Sequence, residues 1–401
     1  MTSRTMPPAI HRVMLAQAFS KLGDNFTEVA LAVFVLKLTH NVSALGLVLA
    51  MAFLPRMILG PILIGLIERL PKRPVLFISD WLRAGLVFSI PLVHEYGYTV
   101  GAMFAIFTLA LVYQPVLGGI QLQIAGTAAT LQQALARRET YYGIADISAY
   151  LIAGVLILTA GTTPAFFINA LTFVAAGLVI LTLPVSPTVW QTLTTRERFV
   201  PQIRQAVQFI RQESLVLFLV ILSGFLNVAV GAINTVLTPL SPDLWHVSTA
   251  HYAWLVLAMA VGLMIGGVTV ERWSISPHRA IALGLGLTGL GLGATLLMPN
   301  WVLGLIPLAV SGFGNAFFGF SLAYLTQSAT PQTVRTRVLT LRSTIMGAGG
   351  ALGAYGSGWL AHHLNLTVAV GSVSALWLAL ALVCVIHPAL RRPAAAATEV
   401  R

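Results

Sequence analysis

The chain has 401 residues, of which 57% are hydrophobic and 9% charged, and it carries a formal net charge of +11. Soluble domains contain about 25% charged residues, so this composition excludes an ordinary soluble globular protein. The single cysteine, Cys384, excludes a disulfide framework. What remains is a chain built from long apolar segments.

Twelve apolar stretches are each long enough to cross about 30 Å of hydrocarbon as a helix. The first stretch follows a basic N-terminal flank, and together they resemble a signal peptide only superficially. We interpret the stretch as an uncleaved span because many similar stretches follow. The predicted spans are residues 12–36, 44–67, 75–94, 99–123, 142–161, 164–184, 215–240, 250–271, 279–298, 301–326, 343–363 and 366–387.

The basic residues test this arrangement. If the N-terminus is cytoplasmic, 19 of the 23 Lys and Arg residues fall in cytoplasmic loops and tails, and only Lys37 falls outside. This is the bias of the positive-inside rule, so we predict that both termini are cytoplasmic. A topology signal spread over seven segments also accounts for the basic pI without nucleic-acid binding.

The longest polar segment divides the spans into six and six. After Pro201, apolar Ile203, Val207 and Ile210 recur at helical spacing among polar residues, which predicts an amphipathic surface helix. We therefore predict an all-α membrane protein with two six-helix bundles of transmembrane helices. The predicted domains are an N-terminal bundle (1–184), a cytoplasmic linker (185–213), a C-terminal bundle (214–388) and a cytoplasmic tail (389–401).

Charged turns follow spans 2 and 8 at equivalent positions in the two halves. Glu68-Arg69 is followed by Lys72-Arg73, and Glu271-Arg272 is followed by His278-Arg279. This offset of half the chain indicates an internal repeat. In span 11, small residues four positions apart, such as Gly349 and Gly353, predict close helix packing.

Together these features resemble the major facilitator superfamily, whose signature between helices 2 and 3 reads roughly G-x-x-x-D-R-x-G-R-R. Glu68 and Arg69 match its acidic and first basic positions, Lys72 and Arg73 match its basic pair, and Pro71 replaces the usual Gly. Other segments resemble a bacterial exporter branch that includes macrolide-efflux and enterobactin-exporter-like proteins. They are FSKLGDNFTEVAL, LPRMILGP, SDWLRAGL, FFINALTF and TPQTVRTRVLTLRS.

The resemblance implies that Glu68 faces the positive end of helix 11 and latches a cytoplasmic gate. Charges that continue into span 3 and the start of span 5 would extend this gate, although a plain charged interfacial turn is the alternative. The predicted gate residues are Glu68, Arg69, Lys72, Arg73, Asp80, Arg83 and Asp146. Span 4 has no Arg and span 5 lacks a motif proline, so the resemblance does not by itself imply drug/proton antiport.

Ionisable residues inside spans predict function. Asp24 lies 13 residues beyond the entry of span 1 at His11, about 20 Å deep. Arg56 is equally deep in span 2, so we expect it to pair with Asp24, and Glu28 lies one turn further on. These three predict a proton-coupling or substrate-binding cluster. The alternative is a static ion-pair network.

The second half has no Asp, Glu, Lys or Arg at mid-depth, and its polar mid-span residues are asparagines. With aromatic and amide residues of the first half, they predict a mostly apolar cavity suited to an amphipathic substrate, although each could instead bond a neighbouring helix. The predicted lining residues are Tyr113, Gln114, Tyr150, Asn227, Asn234 and Asn315.

We therefore predict a monomeric secondary transporter in the cytoplasmic membrane that moves a small amphipathic molecule by alternating access, with proton-coupled efflux as an antiporter. Its expected partners are that molecule, protons and membrane lipids. The sequence contains no nucleophile–base set, nucleotide motif or metal-ligand spacing, so we expect neither enzyme activity nor a cofactor or metal. Two alternatives stay open: an uptake or facilitated-diffusion carrier, and a membrane binding or accessory protein that does not transport.

Overall fold

The computed structural model describes residues 7–60, 71–125, 127–183, 199–272 and 275–387. Within these ranges the regular structure is helical throughout, with no strand. The α-helices are Pro8–Thr39 (α1), Val42–Ala50 (α2), Leu54–Ile58 (α3), Lys72–Val93 (α4), Tyr96–Ala125 (α5), Ala128–Ala160 (α6), Thr163–Thr182 (α7), Phe199–Gln212 (α8), Ser214–Pro239 (α9), Tyr252–Arg272 (α10), Pro277–Ala294 (α11), Trp301–Ser328 (α12), Gln332–His363 (α13) and Leu366–Ile386 (α14).

Nine helices in the described ranges are long and apolar enough to cross a bilayer. The three predicted spans not among them correspond to α1, to α2 with α3, and to α13. Three charged residues lie in the centre of α1, and glycines dilute the hydropathy of α13. The structure therefore confirms an all-helical membrane protein, and the count of twelve spans stays a prediction.

The second predicted span is not one continuous helix. It is interrupted at Met51–Phe53, where backbone N–H groups bond to carbonyls three residues back, as in Met51 N to Val48 O at 3.1 Å. Pro55 explains the break, because its ring displaces the carbonyl four residues earlier and it offers no N–H. The remainder of this span, 61–67, lies outside the described residues.

Two predicted loops are helical instead. Arg137 and Arg138 lie inside α6, and Arg335, Arg337 and Arg342 lie inside α13. Thr127 caps α6, since its hydroxyl accepts a hydrogen bond from the Thr130 N–H at 3.1 Å. The sequence prediction ended these spans at the limit of apolar residues, whereas a helix continues into polar sequence until a cap or a proline stops it.

Contacts divide the chain into two compact units. The first contains residues 1–40, 58–196 and 250–254, and the second contains 41–57, 197–249 and 255–401. In the first unit α1 packs on α6 and α7, and α4 packs on α5 and α7. A division of the chain into two contiguous halves would place residues 41–57 in the first unit and 250–254 in the second, and the contacts place each in the other unit. The predicted domain boundaries stay a prediction.

Close approach between helices organises the second unit. A Cβ on Gly353 of α13 would overlap the Val228 carbonyl of α9, and a Cβ on Gly349 would overlap the Gly224 carbonyl. The predicted small-residue packing of span 11 is therefore confirmed. The predicted linker helix is present as α8, whose buried Ala206 packs with α9 and α13.

Candidate functional site

Polar residues recur along one face of α1. Gln17, Lys21, Asp24 and Glu28 follow at intervals of three or four residues, which places them on one helical face. The buried Gln17 accepts a hydrogen bond from Gln121 Nε2 of α5 at 2.8 Å. This polar face continues from there toward the middle of the helix.

Lys21 and Asp146 form an ion pair between α1 and α6, with 3.5 Å between Nζ and Oδ1. Asn25 completes the group: its Oδ1 accepts from Lys21 at 2.9 Å, and its Nδ2 donates to Asp146 Oδ1 at 2.6 Å. Asn25 is fully buried, whereas the two charged side chains are 34% and 28% exposed. The amide therefore holds both charges at fixed positions.

Asp24 and Glu28 meet neutral donors from two other positions. Asn169 of α7 donates to Thr27 Oγ1 at 2.8 Å and lies 3.5 Å from Asp24 Oδ1. The Tyr150 hydroxyl of α6 donates to Glu28 Oε2 at 3.4 Å. Asp24 is exposed and Glu28 partly so. Asp24 is thus the more accessible of these two carboxylates.

Arg83 of α4 is buried with its carboxylate partner Asp80, and the two form a short ion pair. Its guanidinium carbon also lies 4.5 Å from the ring centroids of both Tyr113 and Phe173. Asp80 Oδ2 accepts no hydrogen bond of normal geometry, although the Tyr113 hydroxyl is near enough to act on it electrostatically. A planar cation fixed between two rings is a rigid element.

These groups form one electrostatic network, which we call the α1 charge network. Lys21 interacts with Asp146, Glu28 and Asp24, and Arg83 also acts on Asp24. Among the residues that the structure describes, the network contains four carboxylates and two cations, so their net charge is −2 when all are ionised. The members are Lys21, Asp24, Glu28, Asp80, Arg83 and Asp146.

The expected pair of Asp24 and Arg56 stays a prediction. The two residues belong to different compact units, Asp24 to the first and Arg56 to the second. Within the first unit, Asp24 lies near Asn169 and also interacts with Arg83.

The predicted gate residues separate into two groups. Asp80, Arg83 and Asp146 belong to the α1 charge network. Lys72 donates to Gln123 of α5 at 3.1 Å, and Arg73 donates a short hydrogen bond to the Leu181 carbonyl of α7. The other two predicted gate residues, Glu68 and Arg69, lie outside the described residues.

The residues predicted to line a cavity occupy different environments. Tyr113 and Tyr150 are 5% and 8% exposed and belong with Arg83 and Glu28, whereas Gln114 is exposed.

The three asparagines of the second unit are partly buried. Asn227 donates to the Ser223 carbonyl of its own helix at 3.0 Å. The Asn234 carbonyl accepts from Thr238 at 2.9 Å, and the Asn315 side chain makes no hydrogen bond within the described ranges. In the part of the chain that the structure describes, no group of three or more His, Cys, Asp or Glu residues could hold a metal ion.

Sequence reasoning did not single out Asn25, Thr27 or Asn169. The spacing of Asn25 from Lys21, one helical turn, was an available signal. Its contact with Asp146 was not, because that contact depends on α1 and α6 being neighbours.

Comparison with known proteins identifies the family. The profile of the transmembrane secretion effectors, a major facilitator family, matches residues 6–400. The enterobactin exporters EntS of Shigella boydii serotype 18 and Escherichia coli O81 are each 26% identical over 366 residues, which covers 86% of this chain and 84% of theirs.

Solved structures share the fold at low sequence identity. The nucleoside transporter NupG has a TM-score of 0.76 at 15% identity and covers 96% of this chain and 100% of its own. A bacterial homologue of the iron transporter ferroportin, in an inward-facing state, has a TM-score of 0.74 at 14% identity, with 97% and 100% covered. With its many apolar helices, the chain is a multi-pass cell-membrane protein and a member of the transmembrane secretion effector family, a family of transporters rather than enzymes.

Proposed function

We propose that this protein is a secondary transporter that exports a small amphipathic molecule across the cytoplasmic membrane by alternating access, driven by protons. The observation that carries the proposal is the α1 charge network, in which carboxylates outnumber cations by two. Uncompensated charge at the depth of a membrane centre is costly, so protons or a cationic substrate would balance it. Asp24 and Glu28 are the two carboxylates that we assign to this role.

The assignment follows from differences among the four carboxylates. Asp80 is buried against Arg83, and Asp146 is held by Lys21 and Asn25. Asp24 is the most exposed of the four carboxylates and lies 3.5 Å from the Asn169 amide, and Glu28 lies one turn further along the same helix, where it accepts from the neutral Tyr150 hydroxyl. A proton that binds Asp24 removes one negative charge beside Arg83, and it weakens the attraction of Asn169 on α7. Protonation can therefore change how α1 packs on α7.

We also propose the topology of twelve spans with both termini cytoplasmic, and a monomeric state. The segregation of basic residues supports the orientation. On this topology Lys72 and Arg73 lie at the cytoplasmic ends of α5 and α7, as gate residues would, together with Glu68 and Arg69. Fusions of alkaline phosphatase and of a fluorescent protein at residues 40, 95 and 387 test this topology. Alkaline phosphatase should be active at residues 40 and 95, which lie outside the cytoplasm, and the fluorescent protein should be active at residue 387.

The proposed direction of transport rests on the relatives, and the proposed substrate class rests on the polar side chains of the C-terminal half. The EntS relatives are exporters of enterobactin, which supports export. In the C-terminal half, the half-buried amides of Asn227, Asn234 and Asn315 suit a substrate with few polar groups. Arg56 lies half-way along its span, and we propose that its positive charge contacts the substrate.

Export is tested in cells that lack their own enterobactin exporter. A thermal-shift screen of enterobactin and amphipathic dyes selects a ligand, since any compound that binds the native state raises its apparent stability. Retention of that ligand is then measured in cells, with and without a protonophore. We expect the chain to lower retention, and the protonophore to abolish the effect.

The variant Asp24→Asn/Glu28→Gln tests the coupling site, with Glu95→Gln, an exposed carboxylate between α4 and α5, as the matched control. The double variant should bind the ligand but lose transport against a gradient. Unchanged uphill transport in the double variant would refute the coupling role. Transport that ignores the protonophore in the wild type indicates facilitated diffusion, and ligand binding without any transport indicates a binding protein.

A further inference from the structure

A groove runs along the surface of the first unit between α1 and α7. Its volume is about 430 Å³, and it is lined by Arg12, Leu15 and Phe19 of α1 and by Thr172 and Val179 of α7, among others. The α1 residues recur with helical spacing. They therefore form one continuous strip along the helix.

The groove is wedge-shaped because the two helices touch at its deep end. A Cβ on Gly23 would lie 2.5 Å from Asn169 Oδ1 and would overlap the Thr172 hydroxyl. Eleven residues separate Gly23 from Arg12, a distance of about 16 Å along a helix. That is close to half of the roughly 30 Å hydrocarbon core, so the groove has the depth of one lipid leaflet.

The groove lies on the opposite side of α1 from the charge network. Leu15 and Phe19 are six and two residues from Lys21, which at about 100° per residue places them on the far side of the helix. Phe19 is 62% exposed and Leu15 37%. The groove is therefore separate from the carboxylates of the α1 charge network, and its exposed apolar side chains suit an acyl chain.

Positive charge marks one end of the groove. Arg12 is exposed and has no hydrogen bond or ion pair with any residue that the structure describes. Arg73 donates to the Leu181 carbonyl beside Thr182, another lining residue, so a second guanidinium lies at the same end of α7. The lining residues that the structure describes include no carboxylate. An apolar wedge of leaflet depth with guanidinium groups at its mouth complements a lipid with an anionic head.

We propose that this groove is a binding site for an anionic phospholipid, with one acyl chain between α1 and α7 and the phosphate on Arg12. On the proposed topology the mouth faces the cytoplasmic leaflet, whose anionic lipids attract basic residues. A soluble anion would use only the mouth, and an uncharged lipid would use only the wedge. The combination is specific to an anionic amphiphile.

Native mass spectrometry of the purified full-length protein tests this site. The protein is incubated with equal amounts of phosphatidylglycerol and phosphatidylcholine that carry the same acyl chains. We expect selective retention of phosphatidylglycerol. Arg12→Gln should reduce that selectivity about fivefold, the effect of one surface cation on anionic lipid. Arg137→Gln, which removes an exposed arginine of α6 outside the groove, is the matched control.

A groove-filling variant tests the wedge independently of the charge. Ala175→Trp places a large side chain among the lining residues, and Leu178→Trp places the same side chain on an exposed position of α7 outside the groove. Only Ala175→Trp should lose the retained lipid. Undiminished phosphatidylglycerol selectivity in Arg12→Gln, or retention in Ala175→Trp, would overturn the proposal. So would equal thermal stabilisation by inorganic phosphate, which would indicate a free-anion site.

Discussion

Lys21 of α1 and Asp146 of α6 approach to 3.5 Å, and the buried Asn25 bonds to both of them. This pair connects the helix that carries the proposed coupling carboxylates to a second helix of the first unit. Because Lys21 also interacts with Asp24 and Glu28, its charge is shared among three carboxylates. Its removal therefore affects the whole network.

The first prediction concerns this pair. Lys21→Met should reduce transport about tenfold, since an unpaired, partly buried carboxylate costs on the order of 1–3 kcal/mol. The double variant Lys21→Met/Asp146→Asn removes both charges and should recover most of the activity. Ligand efflux from cells is the measurement. Lys37→Met, at the exposed end of the same helix, should have no effect, and failure of the double variant to recover would contradict a charge-pair role.

The second prediction concerns the two rings around Arg83. Arg83→Lys should destabilise the purified protein by about 1–2 kcal/mol, because an ammonium cannot stack on Tyr113 and Phe173 as a guanidinium does. The control is Arg138→Lys, because the Arg138 guanidinium lies 5.3 Å from the ring centroid of Tyr142, which is only partly buried. Thermal unfolding is the measurement. Equal melting temperatures for the wild type and Arg83→Lys would show that stacking contributes nothing.

Unfolding can be followed with a thiol-reactive dye, because the only cysteine of the chain, Cys384, is buried in α14. The dye reacts when this helix loses its packing.

The third prediction compares two glycines of α13. Gly353→Ala should destabilise by about 1–3 kcal/mol through overpacking, because its Cβ would overlap the Val228 carbonyl. Gly356→Ala meets no atom within 4 Å and should be neutral or stabilising by up to about 1 kcal/mol, since alanine favours helix. If the two variants melt alike, α13 and α9 do not pack through Gly353.

The fourth prediction concerns a bond between α13 and α9. Arg342 Nε donates to the fully buried Ser223 hydroxyl at 2.7 Å. Ser223→Ala should destabilise by about 1–3 kcal/mol, because a charged donor loses its acceptor. Ser372→Ala, whose hydroxyl bonds only to a carbonyl of its own helix, is the control. The dye assay above compares the two, and an unchanged Ser223→Ala melting temperature would contradict the prediction.

The sequence was sufficient to predict the helices and the residues that carry charge within them. Apolar length and caps determine helix ends, so most predicted spans agree with the observed helices to a few residues. The charged residues of α1 were identifiable because charge is rare in such segments. The break before Pro55 could also have been predicted, since proline interferes with the preceding turn.

The partners of those charges could not be predicted. Asp146 is distant in sequence from Lys21, with which it pairs, and Asn169 is likewise distant from Thr27, to which it donates. Periodicity gives the position of a residue along a helix and its face, but the neighbouring helix depends on contacts between distant segments, which a single sequence does not encode in readable form.

The short helix α2 has a consequence for the order of folding. It belongs to the second unit, where the Ser43 hydroxyl donates to the Gly358 carbonyl at 3.2 Å and a Cβ on Gly46 would lie 2.5 Å from the Ala354 carbonyl. The ribosome produces α2 long before it produces α13. This segment therefore lacks its final neighbours in the membrane until almost the whole chain has been inserted. A nascent chain arrested after residue 200 would leave α2 unprotected, and protease-sensitive, in a way that the completed protein does not.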